Sequence, residues 1–150
     1  MTTKLLDTNV CIAAIRGHPK VVARMEAELP GGELRVSVVT VFELVHGAKK
    51  SGRADEMSKV NRFIDGGPTP VEIDRADATM AGRLRAELAA RGTMIGAYDL
   101  LIAGQARARR WGVVTANTGE FARVDGLALE DWTSPSDHDR PIPTSSRRSP

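Results

Sequence analysis

The chain has 150 residues, of which 41% are hydrophobic and 27% are charged. This length and composition predict one soluble globular domain, and no apolar run approaches the roughly 20 residues needed to span a bilayer. The single cysteine, Cys11, excludes an intramolecular disulfide and a cysteine-based zinc site. Asp7 interrupts the apolar start of the chain, so we expect no signal peptide and a cytoplasmic location.

The charge balance by itself does not indicate a nucleic-acid partner. Lys and Arg number 21 and Asp and Glu 19, which leaves a formal charge of only +2. The arginines at 83 and 91 flank Glu87 at helical spacing and could simply pair with it. Arg107, Arg109 and Arg110, by contrast, have no acidic residue near them in the sequence. Because the planar guanidinium suits phosphate groups, we predict that these three bind RNA.

Apolar spacing and turn residues predict strands alternating with helices. The expected strands cover 3–6, 34–38, 71–73, 113–115 and 127–129. The expected helices run from after Asp7 to Gly17, from Pro19 to Pro30, from 39 or 40 to 48, over 53–65, from Asp74 to Gly92, and over 97–110. Such alternation predicts an α/β fold of three layers, in which helices flank a mostly parallel central sheet.

The sequence changes character at Ser134. From there to Pro150 it is rich in proline and serine, and Ile142 is the one large aliphatic residue. Such a segment cannot bury enough apolar surface to offset the entropy of ordering. We therefore predict a folded domain over 1–133 and a disordered tail over 134–150.

Three acidic residues stand in positions that a purely structural role explains poorly. Asp7 directly follows the first strand, although an aspartate there could also cap a helix. Glu43 lies within an apolar segment, and Asp99 precedes the apolar run 100–103. Neither Glu43 nor Asp99 has a Lys or Arg three or four residues away, and an unpaired buried carboxylate costs several kcal/mol. The alternatives are a helix-surface glutamate and an aspartate that favours the helix dipole.

A shared cation would explain all of these acids together. Asn117 and Glu120 follow the strand 113–115, so they too are expected at the carboxyl edge of the sheet. Oxygen ligands with few histidines favour Mg²⁺ or Mn²⁺ over zinc. Such an ion activates water and neutralises charge on a phosphodiester during hydrolysis. The acids therefore predict a metal-dependent phosphodiesterase.

Four ordered motifs resemble those of PIN-domain ribonucleases, most closely the VapC-type toxins of bacterial toxin–antitoxin pairs. The motifs are Leu5–Asn9, Thr40–Ala48, Ile95–Ala103 and Val114–Phe121, and the ending Val124–Trp132 resembles one VapC branch. The resemblance covers about residues 3–132 and implies an endoribonuclease dependent on Mg²⁺ or Mn²⁺.

The resemblance also assigns roles to individual residues. It implies that Asp7 and Asp99 are the main metal ligands and that Glu43 completes the cluster, through water or by orienting the attacking water. It implies three supporting polar groups: Thr8, Asn9 and Thr115. Where many PIN domains carry a fourth acid this chain has Asn117, so Glu120 is the candidate substitute, and we expect one tight metal site and a weaker one that is filled with substrate.

The resemblance implies partners as well. VapC toxins form homodimers and are held inactive by a VapB antitoxin, whose C-terminal segment inserts toward the acids. A guanidinium from that segment can compete with Mg²⁺ for carboxylates. The substrates implied are structured RNAs, commonly tRNA, with the initiator tRNA as a hypothesis for this branch.

Two other function classes fit the residues less well. A phosphatase with an aspartyl nucleophile needs Asp-x-Asp after the first strand, but this chain has Asp7-Thr8-Asn9. A phosphorylatable receiver domain needs a late lysine, and the last lysine here is Lys59. A non-catalytic binding module, in which the acids are structural, remains an alternative that mutation of Asp99 would distinguish.

Overall fold

The computed structural model describes residues 2–134, and these form alternating strands and helices. The strands are β1 (Lys4–Leu6), β2 (Leu34–Ser37), β3 (Thr69–Val71), β4 (Gly112–Val114) and β5 (Leu129–Glu130). The helices are α1 (Thr8–Ile15), α2 (Pro19–Glu28), α3 (Val38–Ser51), α4 (Glu56–Gly66), α5 (Arg75–Ala90), α6 (Ala97–Arg109) and α7 (Thr118–Phe121). A short 3₁₀ turn, Leu29–Gly31, follows α2.

The strands of the described residues form one sheet in the order β3-β2-β1-β4-β5, and all four pairings are parallel. The chain moves outward from β1 through β2 to β3, then crosses to β4 on the other side of β1. This reversal creates a crevice at the carboxyl ends of β1 and β4, which is where open α/β sheets bind ligands. The fold thus confirms the predicted α/β class and makes the expected mostly parallel sheet parallel throughout these residues.

Helices cover both faces of the sheet. Leu5 and Leu6 are neighbours in β1, so their side chains point to opposite faces. Leu5 packs in the cluster that includes Leu84 and Leu88 of α5, and Leu6 packs in the cluster that includes Val10 and Leu44. These two buried clusters give the molecule its three layers.

One glycine permits the closest helix contact. A Cβ built on Gly104 of α6 would lie 2.7 Å from the backbone nitrogen of Ala81 in α5. Such a distance is shorter than atoms tolerate, so only glycine lets the two helices approach this closely. The contact holds α6, and with it Asp99, against the sheet.

Local capping explains several helix starts. Pro19 occupies the first turn of α2, and Asp74 and Asp77 form a reciprocal capping box at the start of α5. The hydroxyl of Ser37 accepts a hydrogen bond from the backbone N–H of Val39, so α3 begins at Val38, slightly earlier than predicted.

Other boundaries differ from the sequence-based expectation. Strand β3 covers Thr69–Val71 instead of 71–73, because its register with β2 places Val71 opposite Ser37. Helix α4 begins at Glu56 instead of residue 53, and β5 covers Leu129–Glu130 instead of 127–129. The sequence analysis also missed the four-residue helix α7. These elements are short, and tertiary pairing decides their ends.

Within residues 2–134, no helix is long and apolar enough to cross a membrane. The predicted disordered tail over 134–150 falls, apart from Ser134, outside the described residues.

Candidate active site

Asp7 lies at the carboxyl end of β1, beside the end of β4, and is only 3% exposed. Its Oδ1 accepts a hydrogen bond of 2.7 Å from the backbone N–H of Thr8, so Asp7 caps α1 as the structural alternative supposed. Its Oδ2 accepts a hydrogen bond of 2.9 Å from the hydroxyl of Thr115, directly after β4. Both carboxylate oxygens are thereby oriented in the crevice.

Glu43 is half-buried on α3, and a chain of two hydroxyls positions it. Thr8 Oγ1 donates a hydrogen bond of 2.8 Å to Glu43 Oε1, and Thr40 Oγ1 lies 3.0 Å from Thr8 Oγ1. Because the one hydroxyl proton of Thr8 goes to Glu43, Thr40 must donate the other bond. The sequence analysis assigned no role to Thr40, although a polar residue in an apolar helix, three positions before Glu43, is a usable signal.

Asp99 lies in the first turn of α6, and Glu120 of α7 lies close enough to contribute to the raised pKa of Asp99. Asn117 Nδ2 donates to Glu120 Oε2, and the Asn117 backbone N–H donates to Thr115 Oγ1 over 2.9 Å. The predicted Asn/Glu pair therefore connects Asp99 to the Thr115 hydroxyl that holds Asp7.

Asn9, the remaining polar residue predicted to support the site, connects α1 with the loop after β4. Its Oδ1 accepts a hydrogen bond of 3.3 Å from the backbone N–H of Ala116. Thr8, Asn9 and Thr115 therefore all join the first strand region to another part of the crevice.

The acidic side chains are close enough to perturb one another. Burial raises the pKa of Asp99 to about 6, with further contributions from the negative charges of Asp7, Glu120 and Glu43. The pKa of Asp7 is also raised, mainly by burial and further by Glu43 and Glu120, against the hydrogen bonds from Thr115 and Thr8. The fold thus brings together four acids that are distant in the sequence.

The donor set is chemically suited to a hard divalent cation. Four carboxylates meet in a partly buried crevice, and their mutual repulsion is what a bound cation would relieve. Within residues 2–134, however, no group of three or more His, Cys, Asp or Glu side chains is arranged to hold a metal ion. The carboxylate oxygens therefore suit such a cation chemically, although these side chains are not already arranged around a metal position.

The predicted arginine surface has a different environment from the one its sequence suggests. Arg109 donates to both carboxylate oxygens of Asp77, over 3.1 and 2.9 Å, and Asp74 lies 3.4 Å away. Although burial acts to raise the pKa of Asp77, the bonds from Arg109 and the Asp74 backbone lower it overall. No acid lies near Arg109 in the sequence, but the packing of α5 against α6 brings Asp77 to it.

The other two arginines lie at the same end of α6. Arg107 donates to the backbone carbonyl of Asp125, and Arg110 is exposed in a left-handed conformation with φ of 59°. Ten residues of helix separate Asp99 from Arg109, which corresponds to roughly 15 Å along the axis. The RNA-binding role of Arg107, Arg109 and Arg110 stays a prediction, and they lie at the opposite end of α6 from Asp99.

Comparison with known proteins identifies the family. Residues 4–127 match the PIN domain. The chain is 42% identical over 132 residues to the tRNA(fMet)-specific endonuclease VapC of Shigella flexneri, covering 86% of this chain and 97% of that protein. The chain belongs to the VapC family of PIN-domain ribonucleases. It is also 35% identical over 133 residues to ribonuclease VapC2 of Rickettsia felis, covering 85% and 96% of the two chains.

A solved structure agrees with this membership. The crystal structure of DNA-bound VapBC from Salmonella typhimurium contains a chain that superposes with a TM-score of 0.81 and 37% sequence identity, covering 88% of this chain and 99% of that one. VapC proteins are the ribonuclease toxins of VapBC toxin–antitoxin systems, and PIN-domain nucleases generally depend on divalent metals. The resemblance, the α/β class and the ribonuclease activity expected from sequence are confirmed, and the phosphatase and receiver alternatives are not.

Proposed function

We propose that this VapC-family protein is an Mg²⁺- or Mn²⁺-dependent endoribonuclease toxin that hydrolyses structured RNA in the cytoplasm. The observation that carries the proposal is the convergence of Asp7, Glu43, Asp99 and Glu120 in one crevice, where the charges of the two glutamates help to raise the pKa of Asp7 and Asp99. We further propose tRNA as the substrate, with the initiator tRNA as the first candidate. Two relatives, 42% and 39% identical to this chain, are named tRNA(fMet)-specific endonucleases.

The proposed metal ligands are Asp7 and Asp99. Asp7 is held at both carboxylate oxygens, so it presents a fixed charge to the cation. Asp99 lies near Glu120, which accepts a hydrogen bond from Asn117. Glu120 would thus serve where many PIN domains have a fourth acid, with Asn117 orienting it. The bound cation would activate water and neutralise charge on the phosphodiester.

Glu43 is the proposed acceptor of the proton from the attacking water. The bond from Thr8 engages Oε1, so the proton would be taken at Oε2. The hydroxyl chain from Thr40 through Thr8 limits rotation of the Glu43 carboxylate, which keeps the acceptor atom directed into the crevice. Asn9 supports the same arrangement by joining α1 to the loop after β4.

We propose that a VapB-type antitoxin holds the protein inactive and that the toxin forms a homodimer within that complex. The solved relatives from Salmonella typhimurium and Rickettsia felis are VapBC assemblies bound to DNA. Exposed apolar side chains support a protein interface in this chain. Phe42 is 54% exposed, Tyr98 is 48% exposed, and their rings meet edge to face at 5.5 Å.

The test is cleavage of RNA by the full chain. Purified protein is incubated with total tRNA in Mg²⁺, in Mn²⁺ and in EDTA, and the new ends are mapped by sequencing. Asp99→Asn, purified identically, controls for contaminating nucleases. We expect discrete cleavage that requires both the metal and Asp99. Equal cleavage in EDTA, or by Asp99→Asn, would contradict the proposal.

A further inference from the structure

A groove of about 610 Å³ opens between α1, α3 and α4, and Glu43 forms part of its wall. Its apolar lining comes from residues on all three helices: Ile12, Ile15, Leu44, Ala48 and Val60. Its charged lining, besides Glu43, consists of Arg16, Arg53, Glu56 and Lys59. The groove therefore combines apolar side chains with polar and charged ones, and a proposed active-site acid lies in its wall.

The cations of this groove fall into two kinds. Lys59 is neutralised locally, because its Nζ lies 3.4 Å from Asp55 and 3.3 Å from Glu56. The side chains of Arg16 and Arg53 are exposed and make no hydrogen bond or ion pair with any residue from 2 to 134. Among the influences that lower the pKa of Asp55, the charge of Arg53 is the smallest. Two positive charges are thus available to an incoming anion.

We infer that this groove binds a single-stranded segment of the RNA substrate next to the bond that is cleaved, with Arg16 and Arg53 on its phosphates. The inference rests on the proposed ribonuclease function and specifies how the substrate reaches Glu43. Unpaired bases can pack against the apolar lining while the backbone follows the charged margin. A duplex fits less well, because its bases are stacked inside and its outer surface is polar.

The same reasoning distinguishes this groove from the arginines at the end of α6. Arg109 is already bound to Asp77 and Arg107 to the Asp125 carbonyl, so an RNA phosphate would have to displace these partners. Arg16 and Arg53 line the same groove as Glu43, whereas α6 extends roughly 15 Å from Asp99 to Arg109. Arg110 is exposed too, but it lies at the far end of α6 from Asp99, so position favours the groove.

The test measures binding separately from cleavage. In an Asp99→Asn background and in EDTA, fluorescence anisotropy follows a labelled single-stranded RNA of about twelve nucleotides at several salt concentrations. Arg16→Ala combined with Arg53→Ala should weaken binding several-fold. It should also reduce the slope of log K against log salt by about 1.4, since each phosphate contact on a single strand contributes about 0.7.

Three further variants serve as controls. Arg16→Lys with Arg53→Lys keeps the charges and should keep most of the slope. Arg83→Ala with Arg85→Ala removes two exposed arginines of α5, on the other face of the sheet, and should leave binding unchanged. Arg110→Ala tests the rival surface predicted from sequence, so its slope is compared with that of the groove variant. Circular dichroism melts confirm that each variant is folded.

The outcomes distinguish a failure of the groove inference from a failure of the ribonuclease proposal. If the alanine pair binds RNA with unchanged affinity and slope, the groove inference is overturned, and a protein segment becomes its better occupant. A loss of slope in Arg110→Ala alone would overturn it as well. Cleavage by the chain with Asp99 intact is measured in parallel. No cleavage at all would refute the ribonuclease proposal. Cleavage at an unchanged rate when Arg16 and Arg53 are both replaced by alanine would refute the groove inference alone.

Discussion

The hydroxyl of Thr8 donates a hydrogen bond of 2.8 Å to Oε1 of Glu43, although 35 positions separate the two residues in the sequence. Thr8 is also the first residue of α1 and directly follows Asp7, whose carboxylate caps that helix. The start of a single helix therefore fixes one acid by capping and a second acid through a side chain. A substitution at Thr8 is therefore expected to disturb the positions of both the Asp7 and the Glu43 carboxylates.

Thr40→Val tests the hydroxyl chain. Valine has nearly the shape of threonine but cannot donate a hydrogen bond to the Thr8 hydroxyl. Thr8 is then held less firmly, and so is Glu43, to which Thr8 donates. We expect kcat for RNA cleavage to fall about tenfold with little change in KM, and the free energy of unfolding to fall by about 1 kcal/mol. Thr40→Ser should restore the rate. A variant with full kcat would show that Thr40 serves packing alone.

Asp7 combines a capping role with a proposed metal role, and two substitutions separate them. Asn caps helices about as well as Asp, so Asp7→Asn should abolish cleavage while the melting temperature is maintained. Asp7→Ala should abolish cleavage and also lower the free energy of unfolding by about 1 kcal/mol. Cleavage assays and urea denaturation measure the two effects. Retention of activity in Asp7→Asn would remove the residue from the metal site.

The raised pKa of Asp99, about 6, predicts how pH acts on the metal-free protein. The usual aspartate value is about 3.9, so between pH 4 and 6 the folded state binds more protons than the unfolded state. The contribution of Asp99 to stability is complete at low pH and is lost as pH rises through 6. In EDTA, Asp99→Asn should therefore melt several degrees above wild type at pH 7, with little difference at pH 4.

Addition of Mg²⁺ at pH 7 should reduce that difference, because the cation stabilises the ionised carboxylates of the wild type. Thermal melts of both proteins with and without Mg²⁺ provide the measurement. An equal response of the two proteins to Mg²⁺ would contradict a role for Asp99 in metal binding.

The Asp77–Arg109 pair is expected to stabilise the fold. Asp77 is 1% exposed, and its lowered pKa means that its contribution to stability is present above the usual aspartate range and lost as pH falls through the folded value. Asp77→Asn should reduce the free energy of unfolding by about 1.5–3 kcal/mol at pH 7 and by much less near pH 2. Urea titrations at the two pH values check this. A cost independent of pH would point to packing instead of charge.

The motifs of the site were visible in the sequence because each is local. Asp7 follows an apolar strand, Glu43 and Asp99 interrupt apolar helices without a neighbouring cation, and Glu120 follows the last central strand. The carboxyl ends of parallel strands meet at one edge of the sheet, so a mostly parallel sheet already suggested that Asp7 and Glu120 lie near one another. The structure supports that convergence, because the charges of Asp7, Glu120 and Glu43 add to the rise in the pKa of Asp99.

The contacts that hold the acids in place were harder to predict from the sequence. The bond from Thr40 to Thr8 joins two helices, and its proton direction follows only from the bond between Thr8 and Glu43. The partner of Arg109 is likewise distant, since Asp77 lies 32 positions away on α5. Charges close to Arg109 in the sequence could not reveal this pair.

By itself, the sequence determined the order of the longer strands and helices, the class of the fold and which acids are candidates for the site, because these depend on spacing over a few residues. Tertiary packing decided which cations are neutralised and which remain available, because that depends on the helices that come into contact. Arg109 is bound to Asp77, while Arg16 and Arg53, which have no side-chain partner among residues 2–134, line the same groove as Glu43.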